Sequence, residues 1–179
     1  TALMGWLLLI PFFLIRFGLL ATFNKINNKD AAKRAAYFAP LEGGEKAAYW
    51  LYQGSNAAIV LGLVFLKIQY APVWRFSVGL AVYALGLILL ALSTAAFAAP
   101  AENGFSQRGI YRLSRNPMYV AYFACFTGCA LLTRSWGLFG CVLVFQISEH
   151  WIILSEERWC VRQFGEASLR YQERVRRYL

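Results

Sequence analysis

Charged side chains are scarce in this sequence, and their scarcity argues against a soluble fold. Only 15% of the 179 residues are charged, whereas 59% are hydrophobic. A soluble domain of this size does not need so much apolar surface and would not gather it in unbroken runs of about 20 residues. The composition predicts an all-α, polytopic membrane protein in which residues 1–179 form a single integral-membrane domain.

Acidic residues are half as numerous as basic residues, 9 against 18, which gives the chain a net charge of +9. In a soluble protein this excess would suggest a nucleic-acid partner. In a membrane protein the positive-inside bias is the simpler explanation. We therefore expect no nucleic-acid partner, and the sequence leaves the oligomeric state unknown.

Cysteine is also sparse, and its spacing argues against a metal site or a disulfide framework. No two cysteines form a CxxC pair, and three of the four lie inside apolar runs. Such residues usually act as small hydrophobic packing groups. We predict neither a structural metal nor a disulfide. The four positions are Cys125, Cys129, Cys141 and Cys160.

Five apolar runs are long enough to suggest about five transmembrane helices. The first run contains Arg16 and lacks a small-residue cleavage site near its end, so it is predicted to be a retained span. Residues 1–100 then hold three spans, and residues 101–179 hold two more with the predicted catalytic half. The predicted spans are Leu3–Phe23, Ala47–Leu66, Phe76–Ala99, Pro117–Leu132 and Trp136–Leu154.

The last two spans are joined by only three residues, so they are predicted to form a tight antiparallel hairpin. Gly128, Gly137 and Gly140 are expected to let the two backbones approach closely. Beyond Ser155 the chain becomes polar and rich in arginine. It is predicted to continue as a cytoplasmic helical tail that breaks near Gly165.

The distribution of basic residues predicts the orientation of the chain. In the five-span arrangement, the long first loop, the loop before the fourth span and the tail share one side and hold fourteen Lys and Arg residues. The opposite side holds three, Lys67, Arg75 and Arg134. The positive-inside rule therefore places the N-terminus outside and both the C-terminus and the candidate active site in the cytoplasm.

The loop before the fourth span carries the first candidate site. Arg112 and Arg115 are suited to bind an anion or to pair with carboxylates of the tail, and Tyr111 is suited to stack on a ring or to hydrogen-bond. Pro117 fits the first helical turn, and Asn116 is the expected N-cap. The alternative is an interfacial belt of arginine and tyrosine with no chemistry.

The second candidate site surrounds the end of the fifth span. Glu149 and His150 lie at membrane depth, where ionisable residues are costly and usually functional. Glu156 and Glu157 follow them by seven residues, so each pair shares a helix face. The alternative is that Glu156 and Glu157 mark the water boundary and pair with nearby arginines, namely Arg158 and Arg162.

Taken together, these motifs resemble the integral-membrane methyltransferases of the isoprenylcysteine carboxyl methyltransferase type and their phospholipid methyltransferase relatives. The resemblance covers about Gly104 to Tyr178. The matching elements, in order, are Gly109-Ile110-Tyr111, Arg115-Asn116-Pro117-Met118-Tyr119, Glu156-Glu157, Phe164-Gly165 and Tyr171.

The resemblance implies an S-adenosylmethionine site between the loop and the hairpin. This cofactor carries a sulfonium, an ammonium, a carboxylate and an adenine, which carboxylates, arginine and tyrosines complement. The candidates for catalysis are Glu149 and His150, as bases, and Arg115. The residues implied to bind the cofactor are Asn103, Gly104, Phe105, Ser106, Tyr111, Asn116, Pro117, Met118, Tyr119, Glu156 and Glu157.

Two positions favour a lipid amine, such as a phosphatidylethanolamine-type head group, as the methyl acceptor. Asn116-Pro117-Met118-Tyr119 resembles the phospholipid methyltransferases, whereas the isoprenylcysteine enzymes usually have histidine at the first position. Ile152 stands where those enzymes have an arginine associated with substrate. The alternatives are carboxyl O-methylation, an NADPH-dependent reductase resembling the sterol reductases, and a non-enzymatic membrane scaffold.

Overall fold

The structure is a computed structural model that describes residues 3–27, 37–99 and 106–178, without the side chains of residues 24–27. Within these residues the chain forms six α-helices and two short 3₁₀ turns, and no strand. The α-helices are α1 (Leu9–Asn27), α2 (Glu45–Phe65), α3 (Val73–Ala98), α4 (Pro117–Thr133), α5 (Trp136–Phe164) and α6 (Glu166–Arg174); the 3₁₀ turns are Gly5–Leu8 and Gly109–Arg112.

The prediction of an all-α membrane protein is confirmed. Three helical stretches of the described chain are long and apolar enough to cross a membrane, Gly5–Phe23, Val73–Ala98 and Trp136–Phe164, and Pro117–Thr133 is a shorter apolar helix. Their outward faces carry large apolar side chains, such as Phe17 and Ile147, which suits contact with lipid. The count of five spans stays a prediction.

Backbone hydrogen bonds gather the connections of the bundle at one end. The Ile68 amide donates to the Leu3 carbonyl at 2.8 Å, and the Gln69 amide donates to the Leu132 carbonyl at 2.8 Å. Arg134 in turn donates to the Ala71 carbonyl at 3.0 Å. The start of the described chain, the α2–α3 connection and the α4–α5 turn therefore lie together. The cytoplasmic location of the other end stays a prediction.

Glycines bring α4 against α3, not against α5. A Cβ atom at Gly128 would lie 2.6 Å from the Tyr83 backbone, and one at Gly86 would lie 2.5 Å from the Cys125 amide nitrogen. A Cβ atom at Gly140 would meet nothing within 4 Å. The hairpin turn forms as expected, but the prediction that Gly128, Gly137 and Gly140 bring α4 and α5 together is wrong. Gly128 lies in the α3–α4 interface instead.

The end of α5 and the tail follow the expected course. The helix continues to Phe164, Gly165 adopts a positive φ of 54°, and α6 begins at the next residue. A positive φ is available to glycine at low cost, so Gly165 changes the direction of the chain where the sequence predicts a break. This change of direction brings the tail back toward the start of α4.

Candidate functional site

A cavity of about 610 Å³ opens between the loop before α4, the end of α5 and the tail. Its volume lies within the range of roughly 300–1,000 Å³ that is common for small-molecule sites. Aromatic side chains form much of its wall. Its lining residues include Arg16, Tyr52, Ser106, Tyr111, Arg115, Asn116, Met118, Tyr119, Tyr122, Glu156, Glu157 and Tyr171.

The loop wall of the cavity is fixed by tyrosines. Gly109 has a φ of 61° and opens the 3₁₀ turn that buries Tyr111. The Tyr171 hydroxyl donates to the Tyr111 carbonyl at 2.7 Å, which ties α6 to this turn. Burial raises the pKa of Tyr111 and of Tyr171, so both phenols stay neutral at physiological pH and serve as rigid walls or hydrogen-bond donors.

Glu156 supplies a carboxylate to the cavity from the last turns of α5. The Tyr119 hydroxyl, one turn into α4, donates to Glu156 Oε1 at 2.8 Å. Among the described residues no cation lies within 4.0 Å of Glu156 in an ion pair. The carboxylate is thus oriented by a neutral donor, and no ion pair within the described chain competes with a cationic ligand for it.

Glu157 is held in a different way, between two arginines. Arg177 donates to both carboxylate oxygens, with distances of 2.9 to 3.2 Å, and Arg115 lies 3.5 Å from Oε1. A bidentate guanidinium pair fixes orientation as well as charge. Hydrogen bonding to Glu157 raises the pKa of Arg177 and keeps it cationic. Glu157 therefore joins the loop, α5 and the tail.

The predicted pairing of Glu156 and Glu157 with Arg158 and Arg162 is wrong. The side chains of Arg158 and Arg162 turn instead toward the start of α2. Arg158 donates to both oxygens of Glu45 at 2.7 and 2.9 Å, and Arg162 bonds Glu42 at 3.1 Å. The two arginines brace α5 against α2 and leave the two glutamates to the cavity.

Residues 175–178 form a strap across the start of α4, which the sequence patterns do not predict. The Arg115 amide donates to the Arg176 carbonyl at 2.9 Å, and the Asn116 side chain donates to the Arg177 carbonyl at 3.1 Å. The Tyr178 hydroxyl lies 2.7 Å from Nδ1 of His150. The abundance of arginine and tyrosine in the tail is the sequence feature that hints at such a strap. Contacts between residues about 60 positions apart cannot be read from spacing.

Asn116 occupies the N-cap position of α4 but makes no side-chain capping bond. The side-chain Nδ2 of Asn116 donates instead to the Arg177 carbonyl at 3.1 Å and to Oε1 of Glu157 at 3.5 Å. The side chain that the sequence assigns to local capping therefore acts over a long range. It links the strap to the site.

The structure brings most of the predicted site residues to the cavity. Ser106, Tyr111, Arg115, Asn116, Met118, Tyr119, Glu156 and Glu157 line it. Pro117 is buried at the start of α4 and does not line it. Asn103, Gly104 and Phe105 lie outside the described residues.

The two predicted bases lie away from the lining of the cavity. Glu149 is fully buried and accepts a hydrogen bond from Gln146 on its own helix. His150 contacts Tyr178 of the strap. Neither is among the cavity-lining residues of the described chain. Both side chains contact residues that surround the cavity, and their role as bases stays a prediction.

Arg16, a charge inside the first apolar run of the sequence, lines the cavity. Its Nη1 donates to the Met118 sulfur at 2.9 Å, and its guanidinium lies 5.7 Å from the ring centroid of Tyr122. A lone charge in a span is a functional signal in its own right. This charge is the sequence feature that indicates a contribution of α1 to the site.

The residues present suit a ligand that carries a positive charge beside a flat ring. Glu156 offers a carboxylate without an ion-pair partner in the described chain, and Tyr111, Tyr119 and Tyr122 offer aromatic surface. These groups bind ammonium and sulfonium centres and stack on heterocycles. The chemistry of the cavity therefore fits an S-adenosylmethionine-like molecule.

Comparison with known proteins bears on this site. Neither a curated protein nor a solved structure matches the chain significantly. The sequence model of the phospholipid methyltransferase family matches residues 74–167, from the start of α3 to the start of α6. This match spans just over half of the chain and includes the loop, the hairpin and both glutamates, and the chain belongs to the phospholipid methyltransferase family.

Proposed function

We propose that this protein transfers a methyl group from S-adenosylmethionine to the amine of a membrane lipid with a phosphatidylethanolamine-type head group. The observation that carries the proposal is Glu156, a carboxylate oriented by Tyr119 inside an aromatic cavity and lacking a cationic partner among the described residues. Membership of a methyltransferase family supports the reaction class.

The residues of the site bind and orient. When bound, S-adenosylmethionine supplies a methyl carbon to the nitrogen lone pair, while its carbon–sulfur bond breaks and leaves the electron pair on sulfur. Glu156 would attract the cationic part of the cofactor. Tyr111 and Tyr119 would line the space that holds its adenine. The strap and Glu157 hold the loop against α5. The protein thus contributes mainly position and exclusion of water.

The amine of a lipid head group is protonated in water and must lose that proton before its nitrogen can attack. Glu149 and His150 are the proposed bases, although Glu156 is the carboxylate that lines the cavity. A comparison of the pH–rate profiles of Glu149→Gln, His150→Gln and Glu156→Gln assigns the step. The base is the residue whose replacement removes the rise of kcat with pH.

The cofactor assignment is tested by Glu156→Gln, with Glu166→Gln as the matched control on the exposed face of α6. Loss of the charge should weaken S-adenosylmethionine binding by on the order of tenfold or more, since charged hydrogen bonds contribute about 1.5–3 kcal/mol. Calorimetry on purified protein in detergent measures both affinities. Equal affinities for the two variants would contradict the assignment.

The acceptor is tested by following label from methyl-labelled S-adenosylmethionine into extracted lipids. We expect label in amine-bearing phospholipids. Label in a prenylated peptide instead would support carboxyl methylation. Thermal stabilisation by NADPH with none by S-adenosylhomocysteine would replace the proposal with a reductase.

A further inference from the structure

Arg16 lies on the inward face of α1. Leu9, Phe12 and Leu20 are buried, and Arg16 follows Phe12 by four residues, so it shares their face. Phe12 packs against Tyr122 and Phe126 of α4, with ring centroids 5.7 and 5.3 Å apart. The guanidinium is therefore carried into the cavity by a packed helix and does not extend to the outside of the bundle.

The contacts of Arg16 do not neutralise its charge. A thioether is a weak acceptor, and the face of a tyrosine ring attracts a cation without carrying a charge. Among the described residues no carboxylate lies within 4.0 Å of Arg16. A cation in an apolar span is costly, so its retention there suggests an anionic ligand.

The charges of the cavity define what that ligand is. Arg115 is paired with Glu157, so the two lining charges without an ion-pair partner in the described chain are Arg16 and Glu156. Glu156 is suited to a cationic group. Arg16 is suited to an oxyanion, because its planar fork of N–H donors matches phosphate and carboxylate geometry.

We propose that Arg16 binds the phosphodiester of the acceptor lipid and so positions its amine in the cavity. This inference rests on the proposed function. The same oxyanion chemistry is offered by the carboxylate of S-adenosylmethionine. The lipid is favoured because α1 is a candidate membrane span on which Leu14 and Phe17 are exposed, so Arg16 reaches the cavity from a helix whose outer face suits contact with lipid.

The test compares the wild type with Arg16→Gln and Arg16→Lys; Arg170→Gln, at an exposed surface pair, is the control for loss of one charge. Two acceptors are used, dihexanoyl phosphatidylethanolamine and hexadecylamine, which lacks a phosphate. In Arg16→Gln the ratio of their kcat/KM values should shift against the phospholipid by on the order of tenfold to a hundredfold. Arg16→Lys should recover part of this ratio.

Two binding measurements separate the sources of the anion. Calorimetry should show weaker binding of dihexanoyl phosphatidylethanolamine to Arg16→Gln and unchanged binding of S-adenosylhomocysteine. The reverse result would assign Arg16 to the cofactor carboxylate and overturn the inference. An unchanged acceptor ratio with unchanged phospholipid binding would also overturn it.

The inference and the proposed function fail in different ways. If wild-type protein methylates neither acceptor, the proposed function is wrong, and the binding measurements still decide the role of Arg16. If the wild type methylates the phospholipid while Arg16→Gln binds and methylates it equally well, only the role of Arg16 is wrong. Melting temperatures of all variants identify any loss that comes from misfolding.

Discussion

The α3–α4 interface and the junction between α5 and the tail hold this protein together by opposite means. Between α3 and α4, glycines allow backbone to meet backbone, as at Gly128 and Tyr83. At the tail, Glu157, Arg115 and Arg177 join three segments through charge. The first contact leaves no room for change and forms a scaffold. The second is polar and lies next to the cavity, so it is suited to hold a site.

The largest expected effect is on the scaffold. Gly128→Val should destabilise the protein by about 3 kcal/mol or more, because its Cβ would lie 2.6 Å from the backbone of Tyr83. Thermal unfolding in detergent measures the loss. Gly140→Val is the matched control, since a Cβ there meets nothing within 4 Å. Equal melting temperatures for the two variants would contradict the packing described.

A smaller effect is expected at the tail junction. Arg177→Gln should cost about 1 kcal/mol, since Arg177 is one-third exposed and solvent screens its pair with Glu157. Binding of S-adenosylhomocysteine should weaken as the strap loosens. A double-mutant cycle with Glu157→Gln isolates the pair. A coupling free energy of zero would mean that charge does not join the strap to α5.

The pair between α5 and α2 should appear as an acid dependence of stability. Hydrogen bonds from Arg158 lower the pKa of Glu45 below its ordinary value. A lowered pKa means that the stabilisation is present above the unfolded-state pKa and is lost as the pH falls through about 4 and below. The melting temperature of Glu45→Gln should vary less with pH over this window than that of the wild type. Parallel curves would contradict the assignment.

The smallest effect is expected at the surface pair of α6. Arg170 and Glu166 are spaced by four residues and are both exposed. Arg170→Gln should therefore change the free energy of unfolding by less than about 0.5 kcal/mol. Thermal unfolding at low and high salt measures it. A loss as large as that of Arg177→Gln would show that exposed and site-forming pairs do not differ.

Local patterns predicted the parts of the site that lie on single elements. Pro117 and Asn116 mark the start of α4, and Gly165 marks the turn after α5. The short turn between α4 and α5 makes a hairpin, which brings Tyr119 near the start of α4 to Glu156 near the end of α5. These features depend on backbone geometry within a few residues, which the residue types themselves constrain. The side-chain partner of Asn116 escaped prediction because it comes from the strap.

The sequence by itself determined the class of the protein. Long apolar runs are stable in a membrane, whereas the basic loop and the two glutamates require a polar environment at its edge. Tertiary structure alone decided which helix each glycine faces. It also decided that Arg158 pairs with Glu45 and that Arg16 reaches the cavity from α1. The reason is physical. Hydrophobic runs specify burial without direction, whereas a charge or a glycine acts only on the neighbour that the fold brings to it.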